Sequence, residues 1–335
     1  MKHTWSTFLF LIIVLILGAC KPHTSPENVS DASLKLVTTP TQAIPTATTP
    51  ASALPSDIPT PTQSPTLHPT FTPTLPPTSK PPTETVTISA LPSRTPSPTT
   101  LACWHEGGTI KATQIEIDLL PKPLEFRVYT PPCYDQQPKR RYPVLYLIHG
   151  QSFNDDQWDR MGVDEMADTL IAAEQVPPFL IVMPRDRVWS SPEVDMFGEA
   201  IVHDLLPLID ETYRTIPERT YRSIGGLSRG ASWAVHVGIL NWETFSAVGA
   251  HSLPVFPSDT NKIRKWLNAI PRESIPRFFI DIAELDRWSV TATWFENILT
   301  EMDISHVWHL YTGYHNEDYW QSHMEEYLRW YAQEW

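Results

Sequence analysis

The sequence predicts an α/β fold with a mostly parallel, doubly wound sheet flanked by helices. Three observations predict it. Continuous apolar runs such as Val144–Ile148 and Phe179–Met183 read as strands buried on both faces. They alternate with segments of helical periodicity such as Glu199–Tyr213, which carries Ile201, Leu205, Leu208 and Ile209 on one side. Residues 221–240 then run strand, tight turn and helix without a break.

That third stretch carries the chemistry. Tyr221–Ile224 leads into Gly226-Leu227-Ser228-Arg229-Gly230, and Ala231–Leu240 leads out as a helix. G-x-S-x-G between a strand and a helix is the nucleophile elbow of the α/β-hydrolase fold. The turn is so tight that the positions two before and two after the serine must lack bulk, hence Gly226 and Gly230. It lifts the Ser228 hydroxyl clear of the sheet and sets the Arg229 N–H and the helix N-terminus beside a developing oxyanion.

The other elements fall in order around it. Thr109–Leu119 alternates polar and apolar and pairs with Leu124–Tyr129, with Pro121 and Pro123 in the turn and Pro131-Pro132 closing the pair. Val144–Ile148 ends in His149-Gly150-Gln151. The loop after this strand donates the second oxyanion N–H in α/β-hydrolases, and Gln151 takes that place. His149 reads as a structural loop residue. Helices follow at Asp164–Glu174, Glu199–Tyr213, Asn261–Ala269, Trp288–Met302 and, rich in aromatics, Glu317–Trp335. Strands follow at Phe179–Met183, Phe245–Ala250, Arg277–Ala283 and His306–Tyr311.

Sites in such sheets lie at the C-terminal ends of the strands. After an elbow serine the acid and then the histidine come in chain order. Asp281 lies within a strand and faces into or across the sheet. Glu284 and Asp286 lie just beyond its end; Asp286 is the choice for the acid, with Glu284 second. His315 follows the last strand and is the choice for the base. His306 starts that strand, His309 lies within it and His323 is on the terminal helix. Trp158, Trp189, His251 and Trp320 are candidates for the pocket wall. Ser228, Asp286 and His315 need no metal or cofactor, since the histidine moves the serine's proton and the acid fixes the imidazole.

With these landmarks the domain resembles an esterase family that includes esterase D, the feruloyl and acetyl-xylan esterases of carbohydrate esterase family 1, and mycolyltransferase-like proteins. The blocks that carry the resemblance are YPVLYLIHGQSFNDDQW (Tyr142–Trp158), DLLPLIDETYRT followed by GGLSRG (ending at Gly230), DIAELD (ending at Asp286) and GYHNEDYW (Gly313–Trp320). The resemblance covers roughly residues 109–335. It implies an α/β-hydrolase fold and the triad Ser228–Asp286–His315, and the leading reading is a surface-anchored serine esterase on carbohydrate-linked or other small acyl esters. Arg229 stands where many members have Met, Ala231 replaces a third glycine, and Ala283 stands where glycine is usual. An acyltransferase on the same three residues and a non-catalytic surface binding module are the other readings.

The rest of the chain speaks to location. Residues 1–20 have a short basic start, an apolar stretch Phe8–Leu17 and the tetrapeptide Leu17-Gly18-Ala19-Cys20. This is an export signal whose end resembles the lipobox of bacterial lipoproteins, with Cys20 as the lipidated residue and a membrane anchor outside the cytoplasm as the consequence. More than half of the 34 prolines precede residue 100, mixed with Thr and Ser. Residues 21–102 therefore read as an extended, disordered linker, and 103–335 as one catalytic domain. Cys103 and Cys133 flank the first two strands and can pair in an oxidising compartment. A formal net charge of −13 speaks against nucleic acid as a partner. Nothing in the sequence sets the oligomeric state.

Overall fold

A computed structural model describes residues 102–335. The export signal with Cys20 and all but the last residue of the linker lie outside the described residues. Eight strands form one sheet in the order β1-β2-β4-β3-β5-β6-β7-β8. They are β1 (Thr109–Ile115), β2 (Leu124–Thr130), β3 (Val144–Ile148), β4 (Leu180–Pro184), β5 (Arg222–Leu227), β6 (Ala247–His251), β7 (Arg277–Ala283) and β8 (His306–Tyr311). β1 and β2 are antiparallel to each other, and β2 is antiparallel to β4; the pairs from β4 through to β8 are parallel. The chain leaves β3 toward β4 on one side and returns as β5 on the other. A crevice therefore opens between the C-terminal ends of β3 and β5, where the sequence places Gln151 and Ser228.

Helices cover both faces of the sheet. In chain order they are α1 (Gln157–Arg160), α2 (Val163–Ala172), α3 (Phe197–Ala200), α4 (Leu206–Thr212), α5 (Arg229–Leu240), α6 (Ile263–Ala269), α7 (Ser289–Glu301), α8 (Glu317–Ser322) and α9 (Met324–Tyr331). A π turn at Ile201–Leu205 joins α3 to α4. Alternate residues of each central strand serve opposite faces, as the pleat requires. Tyr146 and Ile148 of β3 join the core under α3, α5 and α7, whereas Leu145 and Leu147 join the core under α2 and α9. Every residue of β3, β4, β5 and β6 is buried, which is why their sequences do not alternate.

Boundaries differ from the sequence expectation where packing overrides pattern. β1 stops at Ile115, the residue paired with Leu124 where β2 begins. β6 starts two residues later than expected and extends through His251. The terminal helix is two helices, broken at His323. Tyr319 and Tyr327 both donate their hydroxyls to Asp281 Oδ2, each at 2.7 Å. On one straight helix their Cα atoms would be about 12 Å apart along the axis. The break turns both rings toward one carboxylate.

α9 also fixes part of the sheet's sequence. The Tyr331 hydroxyl sits over paired Gly225 and Gly249, and a Cβ at either glycine would fall 1.7 Å from it. At the other end of the domain, Cys103 and Cys133 form a disulfide with a Cα–Cα distance of 5.1 Å, tying the start of the domain to the end of the first hairpin. The bridge closes a loop of sequence separation 30. On loop-closure entropy the Cys103→Ala/Cys133→Ala double variant should lose about 3–4 kcal/mol of unfolding free energy, read by urea denaturation. An unchanged midpoint would mean that the bridge adds nothing to the stability of the domain.

Candidate active site

The site begins with a strained residue. Ser228 follows β5 with φ 52° and ψ −125°, a backbone conformation rare for a residue with a side chain. Three features hold it there. Its N–H donates to the His251 carbonyl at 2.8 Å. A Cβ on Gly226 would lie 2.4 Å from the Gly230 carbonyl, and one on Gly230 would lie 2.1 Å from the Ile148 oxygen. The strand, the turn and the helix therefore cross at a separation only glycine permits, and the serine is forced outward.

Ser228, Asp286 and His315 come together although β6, β7 and β8 lie between them in sequence. Ser228 Oγ is 2.9 Å from His315 Nε2, and His315 Nδ1 is 2.7 Å from Asp286 Oδ2. The loops carrying the last two are linked through their backbones: Glu284 N–H donates to Tyr311 O at 2.8 Å and Leu285 N–H to Gly313 O at 3.2 Å. Gly313 has φ +149°, and a Cβ there would press on the Tyr319 ring at 2.9 Å. Asp286 Oδ1 accepts the Trp288 N–H at 2.8 Å at the start of α7. Its carboxylate thus shapes the head of that helix and faces His315 at the same time. Burial pushes the Asp286 pKa up, but hydrogen bonds from His315, Trp288 N–H and the Ser252 hydroxyl, with the His315 charge, more than offset this and hold it below the ordinary carboxylate value.

The serine opens into a cleft of about 890 Å³ whose wall includes Gln151, Phe153, Phe256, Trp288 and Trp320. Trp320 stacks edge-on against the His315 ring at 5.0 Å between centroids and donates its indole N–H to Ser252 Oγ at 3.0 Å. Gln151 and Arg229 both border the cleft beside Ser228. Among the described residues neither of their backbone N–H groups has a protein acceptor, which leaves both available to an oxygen in the cleft. Gly150 N–H is spent instead on Gln157 Oε1 at 2.8 Å.

Three of the four pocket-wall candidates stand elsewhere. Trp158 is buried at 1 % exposure and gives its indole N–H to Ile148 O at 3.1 Å, so it braces β3 from within the core. His251 belongs to β6 rather than to the loop after it, and the pleat carries its ring into the opposite core. There it lies fully buried, 2.6 Å from Asp281 Oδ1 and stacked on Tyr327. Asp281 does face across the sheet as its mid-strand place implies, and it receives His251 as well as the two tyrosines. Trp189 stands exposed with φ 53°, in a turn closed by the Asp186 carboxylate, and does not border the cleft. Only Trp320 does.

Two side chains to which sequence reading assigned no structural role prove central to the site's architecture. Asp186 is buried after β4 and accepts Arg229 Nε at 2.6 Å and Trp233 Nε1 at 2.9 Å on the same oxygen. Asp195, also buried, lies 3.3 Å from Arg229 Nη2. Burial and then the charge of Asp186 push the Asp195 pKa up. The signal for both lay in Arg229: an arginine heading an apolar helix must be paired if it is buried. Beside the cleft His149 accepts the Asp186 N–H on Nε2 at 2.9 Å. Its Nδ1–H donates to Gly150 O at 2.7 Å, and burial keeps the ring neutral by lowering its pKa.

Known proteins share this architecture. A solved ferulic acid esterase is 20 % identical and superposes with a TM-score of 0.61 over 69 % of this chain and 100 % of its own. The feruloyl esterase module from Clostridium thermocellum, solved with sinapinate, is 16 % identical with a TM-score of 0.60 over 70 % of this chain and 92 % of its own. Among curated sequences, an endo-1,4-beta-xylanase/feruloyl esterase of Xylanibacter ruminicola is 33 % identical over 114 residues, which is 31 % of this chain and 16 % of that protein. An esterase of Mycobacterium tuberculosis is 31 % identical over 140 residues, 38 % of this chain and 29 % of its own. The chain thus spans less than a third of the length of these curated relatives. The family model described as "Putative esterase" matches residues 118–331. That match takes in the sheet from the first hairpin turn onward, the elbow and both later loops: the chain is an α/β-hydrolase and belongs to that esterase family.

Proposed function

We propose that the chain is a serine esterase that cleaves carboxylic esters through an acyl-enzyme on Ser228. The observation that carries this reading is the line from Ser228 Oγ to His315 Nε2 at 2.9 Å and from His315 Nδ1 to Asp286 Oδ2 at 2.7 Å, opening into the cleft. A serine hydroxyl is a weak nucleophile at neutral pH, and a positioned imidazole makes it reactive. In the first step Ser228 Oγ attacks the ester carbonyl carbon while His315 Nε2 takes the hydroxyl proton. The carbonyl oxygen becomes an oxyanion facing the Gln151 and Arg229 N–H groups at the head of α5. Collapse breaks the bond to the alcohol, and His315 returns the proton to the departing oxygen. Water then repeats the sequence on the acyl-enzyme and releases the acid. Asp286 keeps the His315 Nδ1 proton in place and stabilises the imidazolium that forms in each half.

The acyl part is bounded by the cleft. Phe153, Phe256, Trp288 and Trp320 give it aromatic walls, which suits flat or apolar acyl groups and sugar rings. Relatives named for feruloyl ester hydrolysis support an ester on a carbohydrate as the natural substrate. The acidic residues near the site disfavour a strongly anionic one. Asp155 and Asp159 share Arg127, Asp156 and Glu317 share Arg160, and Asp186 and Asp195 share Arg229, so each guanidinium leaves one carboxylate charge over. The export signal and the Leu17–Cys20 tetrapeptide support a lipid-anchored place on the outer side of the cell membrane, with the Pro/Thr/Ser stretch as tether.

Hydrolysis of p-nitrophenyl acetate, butyrate and octanoate and of methyl ferulate tests the reading. Ser228→Ala should fall by about 10⁴-fold or more in kcat and lose labelling by a fluorophosphonate probe. A folded wild type silent on all four esters and unreactive to the probe would end the esterase reading and bring forward a binding role. Asp286 yields a second expectation, in stability. Its pKa is lowered in the fold, so the charged form stabilises the protein above the ordinary value of 3.8, and that contribution is lost as pH falls through the lower folded value. Asp286→Asn should therefore cut kcat by about 10³–10⁴-fold. Its stability deficit against wild type, measured by urea unfolding, should be full at pH 7 and shrink below about pH 4. A deficit that stays constant down to pH 2 would contradict the assignment of this carboxylate as the depressed one.

A further inference from the structure

The two N–H groups assigned to the oxyanion come from loops far apart in sequence, after β3 and after β5, so something must set their separation. Asp186, on the loop after β4, touches both. Its carboxylate takes Arg229 Nε at 2.6 Å, gripping the residue that carries one of the two amides. Its backbone N–H donates to His149 Nε2 at 2.9 Å, and His149 in turn donates Nδ1–H to Gly150 O at 2.7 Å, the carbonyl of the peptide whose N–H belongs to Gln151. One residue is thereby linked to the Gln151 peptide through one imidazole and to Arg229 through one guanidinium.

The link is stiff. Asp186, His149 and Arg229 are 2 %, 2 % and 8 % exposed. Asp186 Oδ1 also accepts the Val188 N–H at 3.1 Å and Oδ2 the Trp233 indole N–H at 2.9 Å, so the carboxylate is held from three directions. Arg229 Nη2 is fixed by Ser190 O at 2.6 Å and Asp195 at 3.3 Å, and the guanidinium lies 5.2 Å from the Phe256 ring centroid. A buried guanidinium held by two carboxylates is not free to bind substrate through those contacts. Its geometry instead serves the backbone it belongs to.

We propose that Asp186 is a positioning residue for the oxyanion hole, setting the Gln151 and Arg229 amides at a common distance from the reacting carbonyl oxygen. The proposal rests on the esterase reading above. It explains why a helix that otherwise packs apolar residues begins with a buried arginine. Arg229 is the reach by which the loop after β4 holds the peptide after the nucleophile. Such a residue touches no reacting atom and acts only when charge develops on the carbonyl oxygen, so its loss should appear in kcat rather than KM.

The test compares wild type with Asp186→Asn on a p-nitrophenyl ester and on its thionoester, in which sulfur replaces the carbonyl oxygen. An intact oxyanion hole favours the oxygen ester because its donors are set for oxygen. Asp186→Asn removes one charge from a cluster of two carboxylates and one guanidinium, which leaves that cluster neutral and the fold supportable. The variant should lose about 10- to 100-fold in kcat on the ester with KM within about threefold, and much less on the thionoester, so that the oxygen-to-sulfur preference falls. Arg229→Lys keeps every charge but loses the grip on Asp186. It should move the same ratio in the same direction, and it carries the test if the first variant does not fold. Equal losses on both substrates, or an unchanged ratio with a lowered melting temperature, would make Asp186 a structural residue and overturn the proposal. A wild type inactive on the ester would overturn the esterase reading itself, and this inference with it.

Discussion

The constraint on which the rest depends is the closeness of three backbone segments at one point. β3 ends, β5 turns and α5 begins within the space left by two missing side chains, with Gly230 so near Ile148 that a methyl would sit 2.1 Å from its carbonyl oxygen. Helix and sheet cannot approach this closely over a general sequence, because packed elements keep a side chain's width between them. Several features follow from this approach. Ser228 has no room except outward. The head of α5 presents the Arg229 N–H to the same crevice that β3 opens at Gln151. Parallel strands bring the loops after β7 and β8 to the same edge, so an acid and a histidine separated by 29 residues meet the serine without any long-range rearrangement.

Such closeness leaves backbone and polar groups buried, and the fold answers with two separate polar networks. On one side, Asp281 collects His251, Tyr319 and Tyr327, and Tyr331 lies 3.1 Å from His251 Nε2. On the other, Asp186 and Asp195 collect Arg229 and Trp233, and the Asp186 N–H donates to His149. A buried carboxylate with fewer donors would be destabilising by several kcal/mol. With three donors on Asp281 and four on Asp186, the two carboxylates become points at which separate elements must agree. The first network docks the C-terminal helices, which carry Trp320 to the cleft. Through the His251 carbonyl it also reaches the Ser228 N–H. The second docks the loop after β4. Ser228 thus sits between two buried polar networks whose hydrogen bonds fix the geometry around it.

Much of this was legible in the sequence because the relevant constraints are local. Gly226, Ser228 and Gly230 specify their turn within five residues. The strand-end position of Asp286 and His315 follows from chain order and from the rule that parallel sheets act at one edge. What was not legible depended on partners far away in the chain. Nothing near Trp158 says that its N–H will be taken by Ile148 O, so a tryptophan after a strand looked like a pocket wall. His251 was misplaced by a strand boundary: one residue more of β6 moves the ring from the cleft side into the core, since the pleat reverses direction at every residue. Asp186 has no local signature at all. Its importance could be reached only by asking what buried Arg229 pairs with, a question the sequence poses and the fold answers.

Charge near the cleft illustrates the same difference between counting and geometry. The loops around the crevice carry many carboxylates, and a sum of formal charges suggests a negative mouth. Taken pair by pair, the carboxylates at 155, 156, 159 and 195 each lie within 3.3 Å of a guanidinium. Glu317, on the cleft wall, is held by Arg160 and Gln157. Arg127 and Arg160 each serve two of these carboxylates, and Arg229 serves Asp195 and Asp186, so each cluster keeps one uncompensated negative charge, held in place and screened by salt. Arg287, next to Asp286 on the cleft wall, lies against the Trp288 ring and has no carboxylate partner among the described residues. A substrate approaching the serine would therefore meet the aromatic face of Trp288 backed by one cation, within an edge that carries more carboxylates than guanidiniums. The steering charge of the site is set by which charges remain uncompensated: Arg287, one residue from the catalytic acid we propose, is a positive point on an edge that stays acidic, with Asp318 also on the cleft wall.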